Sequence, residues 1–169
     1  MRNQYLTKKR KEWYLVDFNN LLNIENPTWK IDSEELKKIL IKINSNEYIQ
    51  TLYSKQKLSK SELHDTTSYI EFTYNSRIEL KLFREILCYF IEEYNYDRNG
   101  IQSICYFEFN LPKENPNYKK NSPQIGLKCT DDNDYFKINH IKLHINSMFQ
   151  KVHIDFWNDL TLKINGLKP

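Results

Sequence analysis

Apolar residues recur along this chain at two periods, and the changes between them divide it. Tyr14, Phe18, Leu21 and Leu22 follow helical spacing up to a stop at Asn26-Pro27. Asp32 with Glu35 has the form of an N-cap and its capping-box partner, followed by Leu36, Ile39, Leu40 and Ile43 on one stripe. Tyr48, Ile49, Leu52 and Tyr53 extend this helical first third, and the lysine- and serine-rich stretch from Ser54 to Ser61 reads as an exposed connector.

From Ser68 the period changes to two. Ile70, Phe72 and Tyr74 alternate with Tyr69, Glu71 and Thr73, which predicts a strand ending at Asn75-Ser76. Leu80, Phe83, Leu87, Phe90, Ile91 and Tyr94 then form a broad helical face over residues 78–96, with Asn99-Gly100 as its stop. Ile101 to Leu111 is a strand with Cys105, Phe107, Phe109 and Leu111 on one side. A polar loop spans Pro112 to Pro123, a strand carries Ile125, Leu127 and Cys129, and Thr130 to Asp134 makes a turn. Phe136 and Ile138 are apolar at even positions, whereas from Ile141 the apolar positions are odd, so a bulge or break is expected at Asn139-His140.

Alternation is strictest near the C-terminus. Ile141, Leu143 and Ile145, then Val152, Ile154 and Phe156, are apolar; His140, Lys142, His144 and Asn146, then Lys151, His153 and Asp155, are polar. The spacing predicts two strands joined by Ser147 to Gln150, with His144 opposite His153 and Lys142 opposite Asp155. Directly opposed Cβ atoms lie roughly 4.5–5.5 Å apart, so the two imidazoles would touch or share a ligand. Leu160, Leu162 and Ile164 also alternate. A tight hairpin at Asn158-Asp159 would lay them over the histidine face, and a short helix would leave that face open.

The chain of 169 residues is long enough to bury a core without staples and reads as a single domain, a helical part over 1–60 and an α+β body over 68–165. A net charge of +3 imposes no global field, so any nucleic-acid footprint must be local. Cys88, Cys105 and Cys129 form no CxxC pair, which points to reduced, mostly buried thiols in a cytosolic protein. The charged start lacks an apolar signal core, and no apolar run is long enough to span a membrane. Abundant Asn, Lys, Ile and Tyr with no Ala is what an A+T-biased coding sequence produces.

Three of the four histidines fall between His140 and His153. His140 and His144 have a zinc spacing on a helix, but on a strand they stand roughly 13 Å apart, too far for one ion. A site of His144, His153 and Asp155 lacks an obvious second shell, and no metal or other cofactor is expected. Acid/base chemistry needs none: one imidazole can take the 2′-hydroxyl proton of RNA, the other can protonate the leaving oxygen, and Lys142 or Lys151 can stabilise the phosphorane. The structural alternative is an ordinary exposed sheet face with paired His–His and Lys–Asp positions.

Lys8, Lys9, Arg10 and Lys11 cluster at the start of the first helix, where cations oppose the macrodipole; phosphate contact, with Trp13 and Tyr14 as stacking surfaces, would explain them. Lys119 and Lys120 beside Tyr118 form a second basic patch in the long loop. His64 has the His-x-Thr form of two-histidine phosphoesterases, but no second such motif accompanies it. The acidic turn lacks the glycine and terminal glutamate of a calcium loop.

His140, His144 and Ile145, followed by Val152-His153-Ile154, resemble a family of uncharacterised bacterial proteins with a His-Pro-x-x-His-Leu segment and a basic-Ile-Pro stretch. Ile141 stands where that family has proline, and His153-Ile154-Asp155 replaces the second element. The resemblance implies a prokaryotic or mobile-element origin and carries no activity with it.

The sequence therefore predicts an α+β fold, an N-terminal helical layer packed on a mainly antiparallel sheet. Two functions fit it. One is a cytoplasmic bacterial, phage or mobile-element protein that contacts RNA or DNA, including the option of a metal-independent ribonuclease using His144, His153, Lys142 and Asp155. The other is a non-catalytic interaction module, an inhibitor or immunity-type partner of another protein, for which 12 tyrosines and 3 tryptophans supply a suitable surface.

Overall fold

The computed structural model describes residues 4–23, 34–55, 66–110 and 138–169. In chain order these form α1 (Lys8–Leu22), α2 (Glu34–Asn44), β1 (Ile49–Lys55), β2 (Thr67–Tyr74), α3 (Leu80–Tyr94), β3 (Tyr96–Arg98), β4 (Ile101–Asn110), β5 (His140–Asn146) and α4 (Gln150–Asn165). The strands make one sheet in the order β1-β2-β5-β4-β3, every neighbouring pair antiparallel. The class is α+β, with helices packed on an antiparallel sheet.

Period-two strands expose two faces of opposite character. Ile70, Phe72 and Tyr74 of β2, Ile141, Leu143 and Ile145 of β5 and Cys105 of β4 enter the main core. The same core takes Leu36, Ile39, Leu40 and Ile43 from α2, Phe83, Leu87, Phe90 and Tyr94 from α3, and Val152, Phe156, Trp157, Leu160 and Ile164 from α4. Three helices thus cover one face of the sheet. Asn46 donates from Nδ2 to the carbonyls of Ile164 (3.1 Å) and Leu167 (2.9 Å), closing the end of α4, and the Tyr89 and Tyr94 hydroxyls donate to Asp159 Oδ2, tying α3 to α4.

Helix α1 begins at Thr7, whose hydroxyl accepts from the Arg10 N–H at 3.2 Å. It contributes Phe18 to the main core and Tyr14 to a smaller cluster with Leu6, Leu52 and Ile138. The segment before it is tied to the sheet: the Leu6 N–H donates to the Tyr74 carbonyl at 2.9 Å, and the Asn139 N–H to the Gln4 carbonyl at 2.7 Å.

Four expectations change. Residues 49–55 are a strand, because a bulge between Thr51 and Ser54 adds one residue opposite β2 and destroys the alternation that would have announced it. Asn99 (φ 55) and Gly100 (φ 73) form the two-residue turn of the β3–β4 hairpin, for which paired positive φ angles are required. Residues 150–165 are one helix, so no hairpin joins the two histidine-bearing segments. Cys88 is exposed, whereas Cys105 is buried. The parity change at 139–140 corresponds to the start of β5. The Asp32 cap, the strand carrying Ile125, the acidic turn, His64, Cys129, Lys119 and Lys120 lie outside the described residues. No described helix is long and apolar enough to cross a membrane.

Candidate functional site

On the face away from the helices, β5 sits between β2 and β4 and its even residues build three cross-strand rows. Tyr69, His144 and Tyr106 form the first; Glu71, Lys142 and Glu108 the second; Thr73 and His140 the third. His144, 7% exposed, lies under Tyr106, whose ring stacks on it at 4.3 Å with a 9° interplanar angle, while Tyr69 closes the other side at 5.9 Å. Its Nε2 has no hydrogen-bond partner among the described residues, and Glu108 Oε1 stands 3.9 Å away. Burial foremost, then the Lys142 ammonium, holds the His144 pKa below the ordinary imidazole value against the pull of Glu108 and Glu71.

Lys142 is committed elsewhere. Its Nζ lies 3.0 Å from Glu71 Oε1 and 4.3 Å from the centre of the Tyr69 ring. Burial pulls its pKa down, but the hydrogen bond and charge of Glu71 outweigh this and hold it above the usual lysine value. His140 is buried and donates from Nδ1 to the Ile138 carbonyl at 3.0 Å; desolvation keeps it below the normal range.

The expected pairing of His144 with His153 does not form. His153 is carried by α4 and is buried on the helix side of the sheet. Its Nε2 donates to the Ser147 carbonyl at 2.9 Å and its Nδ1 accepts from the Ser68 hydroxyl at 2.7 Å. Ser68 shares the helix-facing parity of Ile70 and Phe72, so the sheet itself separates the two imidazoles. The predicted Lys142–Asp155 pair is absent as well, since Asp155 pairs with Lys151 along α4 at 2.6 Å. Among the described residues no group of three His, Cys, Asp or Glu side chains could hold a metal ion.

The basic cluster also divides. Lys8 and Lys9 are exposed, and Lys9 Nζ lies 4.9 Å from the centre of the exposed Trp13 ring. Arg10 donates to the Tyr5 carbonyl at 3.1 Å. Lys11 points inward, where its ammonium donates to the Asn44 and Ile49 carbonyls and to Gln50 Oε1. Burial pulls its pKa down to about 7, and the three acceptors match the three protons of the charged form. Lys11 is therefore a buried pin joining α1 to the α2–β1 corner rather than a phosphate contact. Tyr14 is buried too and offers no stacking surface.

One prominent feature was not expected. Strand β3 pairs with β4 only from Ile101 to Ser103. Immediately beyond, the Asn95 side chain acts as a substitute strand: Nδ2 donates to the Cys105 carbonyl at 2.7 Å and Oδ1 accepts the Cys105 N–H at 3.0 Å. Because Cys105 turns its backbone groups outward, ladder alternation turns those of Phe107 and Phe109 outward as well. None of the described residues pairs with them. This end of the strand is exposed on both faces, Phe107 38% and Phe109 42% on the helix side and Ile104 50% and Tyr106 44% on the other. No protein-family model, curated protein or solved structure matches this chain.

Proposed function

We propose that the chain is a non-catalytic protein-interaction module that takes an extended segment of another protein onto the outer edge of β4. The observation that carries this is the edge itself: four outward backbone groups, on Phe107 and Phe109, that none of the described residues pairs with, flanked by exposed apolar side chains. Soluble proteins normally blunt such an edge with lysine, proline or a covering element. Residues 104–109, Ile-Cys-Tyr-Phe-Glu-Phe, contain neither lysine nor proline. Strand addition would satisfy all four groups, at a net gain of about 0.5–1.5 kcal/mol each, and would bury part of the apolar surface. The ribonuclease alternative loses its geometric basis, because His144 and His153 lie on opposite sides of the sheet.

The test is amide exchange followed by a proline block. In the isolated chain the Phe107 and Phe109 amides are expected to exchange quickly, and to become protected in a complex recovered by cross-linking. Phe107→Pro removes one outward donor at an edge position where proline is tolerated, so the fold survives while the complex is lost. Slow exchange in the free monomer, or a complex indifferent to Phe107→Pro, refutes the reading.

A further inference from the structure

Resting on the reading of β4 as a docking edge, we infer that the segment it accepts is an antiparallel strand with a basic residue opposite Glu108 and apolar residues on either side. Phe107 and Phe109 fix the register. Each forms a hydrogen-bonded pair with the incoming strand, so the residue between them faces Glu108 in a non-hydrogen-bonded pair, where side chains approach most closely. The apolar neighbours then project on the helix side, beside the Phe107–Phe109 edge-to-face pair, whose ring centres lie 5.7 Å apart.

The charge at the middle position follows from the row to which Glu108 belongs. That row reads Glu71, Lys142, Glu108 from β2 outward. Its one cation is held by Glu71 at 3.0 Å, and the Glu71 side chain is almost fully buried. Glu108 stands at the rim, 53% exposed, across from the Lys142 that Glu71 holds and 3.9 Å from the His144 imidazole. A buried imidazole whose pKa is depressed does not neutralise a carboxylate at neutral pH. A fourth strand carrying lysine or arginine completes an alternating row of charges.

The same geometry disfavours a second copy as the occupant. Pairing Phe107 with Phe109 of a dyad-related copy sets Glu108 directly against its equivalent, and opposed like charges destabilise. Pairing Phe107 with itself sets Phe109 against Cys105, whose outward groups Asn95 already holds. Neither of these two self-registers satisfies the edge without a conflict.

The probes are two blocked peptides, acetyl-Lys-Ile-Lys-Ile-Lys-amide and its Glu-Ile-Glu-Ile-Glu counterpart, titrated at low salt into the isotope-labelled full chain. Shifts of the Phe107 and Phe109 amides report binding. Wild type is expected to bind the lysine peptide about five- to tenfold more tightly than the glutamate peptide, Glu108→Gln to lose the preference, and Glu108→Lys to reverse it. Equal binding of both peptides at those amides overturns the charge assignment and leaves the docking edge standing. Failure of both peptides to bind overturns the docking reading with it. A concentration-dependent dimer in sedimentation that Phe107→Pro abolishes assigns the edge to a second copy and overturns the proposal.

Discussion

Replacing His153 with leucine keeps nearly the same side-chain volume and removes both polar ring atoms, which isolates the two hydrogen bonds that fasten the start of α4. One bond runs to the Ser147 carbonyl at 2.9 Å and the other to the Ser68 hydroxyl at 2.7 Å. Each buried group left short of a partner costs about 1–3 kcal/mol, so His153→Leu should destabilise by roughly 2–5 kcal/mol. For a chain of this size that is a fall in melting temperature of about 2–4 °C per kcal/mol. A glutamine amide reaches the place of Nε2 but not that of Nδ1. His153→Gln therefore keeps the Ser147 bond, and its loss should be about half that of leucine. Urea and thermal unfolding followed by circular dichroism measure both variants against wild type. If both are as stable as wild type, or if glutamine costs as much as leucine, His153 is not held as described and its assignment as a structural fastener fails.

Further outcomes follow from the same geometry. Ile154 and Leu162, 38% and 67% exposed on α4, should accept lysine within about 0.5 kcal/mol, whereas Leu160→Lys at a fully buried site should prevent folding; equal effects by thermal unfolding would restore the strand reading. His140 and His144 have folded pKa values below the ordinary imidazole value, so the unfolded chain binds more protons; their contribution is complete above about pH 6.5 and is lost as pH falls through the depressed values. Melting temperature should therefore drop on acidification, less steeply in His144→Gln, and a histidine NMR titration should place the His144 midpoint lower still in Glu108→Gln. Because Lys11 is buried and Arg10 is bonded to the Tyr5 carbonyl, the α1 cluster offers two unburied lysines; any RNA affinity it confers should fall with salt at a logarithmic slope no steeper than about −2, and a steeper slope places phosphate contacts elsewhere.

Where apolar and polar residues segregate to opposite faces of an element, periodicity located it well. The stripe of α2, that of α3 apart from Leu80, which is 60% exposed, and the apolar alternation of β2 and β5 correspond to the residues that pack in the core. Helix α4 deceived because its apolar residues satisfy two periods at once. Val152, Phe156, Leu160 and Ile164 step by four and are buried, and Ile154 and Leu162, exposed in fact, complete a false alternation. The contrary signal lay in adjacent pairs: Phe156-Trp157 and Leu160-Thr161 are buried side by side, which a helix permits and an alternating strand does not. The error propagated directly to the histidines, since a strand at 151–156 and a helix there place His153 on opposite sides of the sheet.

The exposed edge of β4 was less legible, yet part of it was available. Period two identifies Cys105, Phe107 and Phe109 as one side of a strand but cannot say how far the helix layer extends over that side, which is a tertiary property. The chain's punctuation does bound the partner strand. Helix α3 ends at Tyr94 and the Asn99-Gly100 turn follows five residues later, so at most a few residues can pair back onto a strand of ten. A hairpin with such unequal arms leaves most of its longer strand to be paired by another element. At Cys105 that element is the Asn95 side chain, whose single amide satisfies one residue and cannot reach the next. Among the described residues the edge is thus open from where the shorter arm and its side-chain extension are spent, and the first outward residue beyond them is Phe107.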